Sequence, residues 1–107
     1  MSTKIKQGDA YSLPVALTLN GSALSGESVE TAEFCLGRSL RKLYPQEVTF
    51  SADDGCFYIP LSQEETFALP PEAAPLDARV RFSDGQVMGA KAPGYIQVVC
   101  ALSREEL

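Results

Sequence analysis

Cys56-Phe-Tyr-Ile-Pro-Leu61, Ser62-Gln-Glu-Glu-Thr-Phe-Ala-Leu69, Pro70-Pro-Glu-Ala-Ala-Pro75 and Leu76-Asp-Ala-Arg-Val-Arg-Phe82 follow one another without interruption. The first piece alternates, with Phe57, Ile59 and Leu61 on one face of an extended strand and Cys56, Tyr58 and Pro60 on the other. Ser62 and Glu65 have capping-box spacing, in which each side chain satisfies a backbone N–H left free by the first helical turn. Pro70 biases Leu69 away from helical dihedrals, so the spacing predicts a helix over about 62–69 and no longer. The last piece alternates again, Leu76, Ala78, Val80 and Phe82 against Asp77, Arg79 and Arg81. A strand, a short capped helix and a returning strand suit a β-sandwich in which the chain passes from one sheet to the other.

Working outward on both sides, the same two-residue period recurs. Tyr11, Leu13, Val15, Leu17 and Leu19 alternate with small residues between Ile5 and Asn20. Pro14 cannot donate to a ladder, which predicts an edge strand or a bulge there, and a strand that switches sheets near the proline suits both. Asn20-Gly21 is a tight-turn signal, followed by a polar loop to Ser28. Val29 to Gly37 reads as a strand with Ala32, Phe34 and Leu36 inward, and Arg38 to Tyr44 as an edge strand guarded by cations. Asp53-Asp54-Gly55 and Ser83-Asp84-Gly85 each read as a hairpin turn. Ala92-Pro93-Gly94 predicts a break, then a last strand from Tyr95 to Leu102 with Ile96, Val98, Cys100 and Leu102 inward. Ser103 to Leu107 is polar and predicted to fray. The expectation is one domain over 1–107, all-β: an immunoglobulin-like β-sandwich of about seven to eight antiparallel strands with one short helix.

Composition narrows the function. With 107 residues, 45% hydrophobic and 21% charged, the chain has the balance of a globular domain. A net charge of -5 and a pI near 4.6 disfavour nucleic acid and anionic membrane as partners. No apolar run approaches the roughly 20 residues of a membrane helix, and the polar N-terminus is unlike a secretory signal. Cys35, Cys56 and Cys100 have no metal-ligand spacing and read as free thiols in a reducing compartment. Cys35 faces away from Ala32, Phe34 and Leu36, which argues against a Cys35–Cys100 bridge.

Histidine is absent. This removes the usual general base and the commonest metal ligand, and with them Ser–His and Cys–His chemistry. Glu64-Glu65 reads as a first-turn acidic pair beside the helix dipole rather than a glycosidase pair. The Asp-Gly turns read as turn geometry rather than Ca²⁺ ligands. Arg38, Arg41, Lys42 and Tyr44 form a basic and aromatic group, either a solvated edge or a contact surface for an acidic partner. Ser12, Pro14, Ala16 and Thr18 are small, so their face suits flat packing on a neighbour and a symmetric oligomer. The expected function is binding through surface, without catalysis and without a cofactor or metal.

The opening Ile5-Lys6-Gln7-Gly8-Asp9 leads directly into a long alternating strand. Asn20-Gly21, Val29-Glu-Thr-Ala-Glu-Phe34 and the closing Leu102-Ser-Arg-Glu-Glu-Leu107 follow later. Together they resemble small phage and prophage structural proteins, most of all the immunoglobulin-like N-terminal domain of phage baseplate upper proteins. The resemblance implies a non-catalytic structural or adaptor protein of a tail or baseplate. It would be made in the bacterial cytoplasm, carried in the virion, and would act through contacts with other phage subunits. The alternative is a small carbohydrate-binding module, which would need Tyr44, Tyr58 and Tyr95 exposed on one face.

Overall fold

The computed structural model describes residues 3–107, of which 3 and 91–93 are described as backbone alone. Among the described residues the chain is all-β with one helix. Its strands are β1 (Thr3–Lys6), β2 (Tyr11–Val15), β3 (Thr18–Leu19), β4 (Ser22–Ala23), β5 (Thr31–Leu36), β6 (Leu40–Tyr44), β7 (Thr49–Ser51), β8 (Cys56–Leu61), β9 (Ala73–Arg81) and β10 (Val87–Val99). Helix α1 (Gln63–Ala68) stands between β8 and β9. A seven-stranded sheet runs β4-β3-β10-β9-β5-β6 with β1 also on β10, and a three-stranded sheet runs β2-β8-β7. The α1 segment thus carries the chain from the small sheet to the large one, as the alternation on its two sides predicts.

Period-two patterning builds the strands because each has one covered face. β9 alternates exposed and buried at every one of its residues, and β5 and β8 bury every second residue. Their inward side chains meet: Phe34 of β5 and Phe57 of β8 lie 5.6 Å apart, and Phe50 and Tyr44 also pack on the Phe57 ring. Val80 and Val98 are each 1% exposed in the same core. Burial of these side chains is the main driving force of the fold.

α1 forms where the capping signal stands. Ser62 Oγ accepts from the Glu65 N–H at 3.1 Å, and Glu65 Oε1 accepts from the Ser62 N–H at 2.9 Å. Leu69 caps the other end in an extended conformation, as its position before Pro70 requires. Buried Thr66 fastens the helix to the β1–β2 turn: its hydroxyl donates to Asp9 O at 2.8 Å and accepts from the Gly8 N–H at 2.9 Å. Gly8 adopts φ +93, and a Cβ there would stand 2.8 Å from the Phe67 ring, so the turn admits no larger residue without strain.

Four expectations are corrected. First, the described residues form ten strands rather than about seven to eight, and not all are antiparallel: β1 pairs in parallel with β10, Ile5 beside Val98. The Gln7-Gly8-Asp9 turn cuts the first alternating run in two and sends β1 and β2 to different sheets. Burial lapses there, from Gly8 to Ser12, and resumes at Leu13 on residues of the same parity as Ile5 and Gln7, so the alternation alone does not show the change of sheet. Second, Ser22–Ala23 of the predicted loop pairs with β3 across the Asn20-Gly21 turn. Third, the chain does not end a strand at Ala92-Pro93-Gly94; β10 continues through a register shift between Ala90 and Gly94. Fourth, Cys100 and Leu102 are exposed. β10 ends at Val99, where its ladder with β1 stops at Lys6, so no strand lies alongside the later residues.

The exposed C-terminal tail folds back onto the β1–β2 turn and α1. Arg104 lies 4.9 Å from the centre of the Phe67 ring and donates to Gln7 Oε1 at 2.8 Å. Gln7, buried beneath it, donates to Leu69 O at 2.7 Å. The Leu107 N–H donates to Gln63 Oε1 at 3.1 Å.

Candidate functional site

β6 is the outer strand of the large sheet and pairs with β5 alone. Its alternation divides the predicted basic and aromatic group. Arg41 points to the outer face, where Glu33 of β5 accepts from it at 2.5 Å and from Arg79 of β9 at 3.1 Å. Arg41 and Arg79 beside it hold the Glu33 carboxyl below its ordinary range, chiefly through these hydrogen bonds. Lys42 points the other way, toward α1. Its ammonium is 2.7 Å from Glu65 of the capping box and 3.9 Å from Glu47, with only 13% of the side chain exposed. Burial pushes Glu65 up, but the Lys42 and Ser62 hydrogen bonds outweigh it and hold the carboxyl below its ordinary value.

Tyr44 also turns inward. Its ring meets Phe57 edge-on at 5.2 Å, and its hydroxyl donates to Gly26 O at 3.1 Å. Arg38 stands exposed in the turn between β5 and β6. Arg38, Arg41, Lys42 and Tyr44 therefore occupy three surroundings and do not form one patch. Arg41 instead joins Arg79 and Arg81, which sequence order separates from it. Arg81 reaches Glu30 at 3.4 Å, and with Asp77 of β9 on the same side these residues make an outer face of three arginines and three carboxylates.

The other candidates settle into local roles. Asp54 Oδ1 accepts from the Cys56 N–H at 3.0 Å, and the Tyr58 hydroxyl donates to Asp54 Oδ2, so the Asp53-Asp54-Gly55 carboxylate is used by its own hairpin. The Tyr58 hydrogen bond lowers the Asp54 pKa first of all and raises that of Tyr58. Asp84 likewise accepts from the Gln86 N–H at 3.0 Å. Among the described residues no group of three or more His, Cys, Asp or Glu side chains could hold a metal ion. Cys35, Cys56 and Cys100 are free; burial pushes the Cys35 and Cys56 thiols up.

No protein family, curated protein or solved structure matches this chain. Its surfaces are therefore read from geometry.

Two surfaces stand out. The outer face of the small sheet sets Ser12 beside Pro60 and Pro14 beside Tyr58, with no charged side chain in those pairs. β2 is an outer strand there, which suits the missing N–H of Pro14. The second surface escaped the sequence reading. Val87 to Ala90 of β10 pairs with β9 on one side, and among the described residues no strand pairs with its other side before Lys91, which meets Thr18 of β3. Val87 and Met88 are 56% and 38% exposed. The signal present in the sequence was Gln86-Val-Met-Gly-Ala90, a strand segment without a charge, where an edge ordinarily carries one.

Proposed function

We propose that this chain is a non-catalytic structural or adaptor protein of a phage or prophage tail or baseplate, built as an immunoglobulin-like sandwich and acting through protein–protein contacts. The observation that carries the reading is the outer face of β2 and β8, where Ser12 neighbours Pro60 and Pro14 neighbours Tyr58 with no charged side chain in those cross-strand pairs. A surface of that kind packs on another subunit without burying an unpaired charge. The phage assignment rests on the resemblance of the Lys6-Gln7-Gly8-Asp9 start and the strands that follow it. Its partners are other subunits of the assembly and a second copy of the chain, met in the bacterial cytoplasm and retained in the virion.

The carbohydrate-binding alternative draws no support from the tyrosines. Tyr44 packs inside on Phe57, Tyr58 lies on the small sheet, and Tyr95 is exposed on the large one. Co-expression with the products of neighbouring genes, followed by size exclusion with light scattering, tests the proposal. A stoichiometric complex or a defined oligomer is expected, weakened by Pro14→Asp. A strict monomer at high concentration that captures none of those products overturns it, as does selective binding on a glycan array.

A further inference from the structure

We infer that the seam between the β1–β2 turn and α1 is a receptor for a guanidinium group, filled by Arg104 of the same chain and open to Arg104 of a second copy when C-terminal tails are exchanged. This names how two copies engage, and it rests on the assembly reading in that respect.

The receptor is made of groups turned to accept. Gln7 is 6% exposed, and its Nε2 donates to Leu69 O at 2.7 Å. A carbonyl takes only a donor, so the amide orientation is fixed and Oε1 is the end that meets Arg104, at 2.8 Å. Gln63 repeats the arrangement: Nε2 donates to Gly8 O at 3.1 Å, and Oε1 accepts from the Leu107 N–H at 3.1 Å. Phe67 O accepts from the other terminal nitrogen of Arg104 at 3.4 Å, and the Phe67 ring lies 4.9 Å from the guanidinium carbon. The ring is set against the Gly8 turn, where even a Cβ would stand 2.8 Å from it. Two separated acceptors above a π face suit a flat, forked donor, which a guanidinium is and an ammonium is not. Lys6, Asp9 and Glu105 also line this hollow, and Asp9 Oδ2 accepts from the Lys6 N–H at 3.0 Å. The contacts of Arg104 among the described residues are all with the neutral groups just named. Without an occupant, Gln7 Oε1 would be a buried acceptor left unpaired.

The tail is joined to the body rather than packed on it. Cys100 to Ser103 lie beyond the last β1–β10 pair, and Leu102 in that joint is fully exposed. Arg104 and the Leu107 N–H make the hold. Fully extended, the chain from Val99 to Arg104 spans roughly 17 Å, enough to set Arg104 in an adjoining copy. The segment that fits the receptor is the chain's own, so a second copy supplies the same ligand, and exchange of identical elements is a low-cost route to a dimer. Where two tails cross, the joints run side by side and each Leu102, uncovered on its own chain, gains its twin as cover.

The test begins with light scattering after size exclusion of the full chain over a concentration series. A dimer that grows with concentration is expected. Arg104→Ala should abolish it while the thermal melt stays cooperative, and Leu102→Ser should weaken it about tenfold with the receptor untouched. Fluorescence anisotropy with a labelled peptide of residues 101–107 reads the receptor by itself. Arg104→Ala protein, its receptor emptied, should bind the peptide saturably and more tightly than the parent chain does, and Arg104→Lys in the peptide should cost about tenfold. No binding to the emptied receptor, or equal binding of the arginine and lysine peptides, overturns the inference. So does a dimer indifferent to Arg104→Ala or to Leu102→Ser, and in that case the assembly reading stands. A parent chain that stays monomeric also overturns it, and takes the assembly reading with it only if no neighbouring gene product is captured.

Discussion

Replacing glycine by alanine at three positions separates backbone strain from steric conflict. At Gly8 the new Cβ lies 2.8 Å from Phe67 Cζ and 3.2 Å from Cε1, at φ +93. A non-glycine residue held at such a φ costs on the order of 1–3 kcal/mol. The ring cannot swing aside freely, because Arg104 stacks on it and the Gly8 N–H is fixed on Thr66. Forcing it costs about 1 kcal/mol more. Gly8→Ala should therefore lose about 3 kcal/mol, and a Tm fall of more than roughly 10 °C would follow for a domain of this size. Gly85, at φ +90 with nothing within 4 Å of its Cβ, carries the backbone part alone, so Gly85→Ala should lose about 1–2 kcal/mol. Gly89 carries neither, and Gly89→Ala should gain about 0.5–1 kcal/mol. Urea denaturation of the three variants reads the series directly. Equal losses at Gly8 and Gly85 would refute the steric conflict with Phe67; a loss at Gly89 would refute the reading of that position as unconstrained.

Three further outcomes are expected. Ser62→Ala removes the hydroxyl that accepts from Glu65 N and should lower stability by about 1 kcal/mol in chemical denaturation, with Ser62→Thr nearly neutral. Glu33 and Glu65 both sit below their ordinary 4.5 in the fold, so the folded state binds fewer protons there than the unfolded one. Stability held at neutral pH should fall as the pH drops from about 4.5 through the lowered values, and Glu65→Gln should flatten the slope. A thiol reagent should modify exposed Cys100 several-fold faster than Cys35 and Cys56, whose thiols are partly buried and raised; peptide mapping of the labelled protein checks the order.

Local rules reached far into this chain. Where one face of a strand is buried and the other wet, side chains must alternate, and Phe57, Ile59, Leu61 and Leu76, Ala78, Val80 record that directly. The capping box and Pro70 placed α1 within one residue at each end, because caps act within one turn. The basic group was legible as an edge strand but not as a site. Arg41 and Lys42 are adjacent in sequence yet take opposite faces, so one joins Glu33 and the other Glu65.

Pattern along the chain determined that this protein is all-β, where its short helix stands, and most of the side chains that avoid water; Cys100 and Leu102 keep the pattern but find no cover. It did not determine which strands became neighbours. Alternation is the same for parallel and antiparallel pairing and for either sheet, so β1 beside β10, the three arginines on one face and the open edge at Val87 were set only by long-range packing. The tendency to avoid water is written in each residue, whereas adjacency belongs to pairs of segments far apart in sequence.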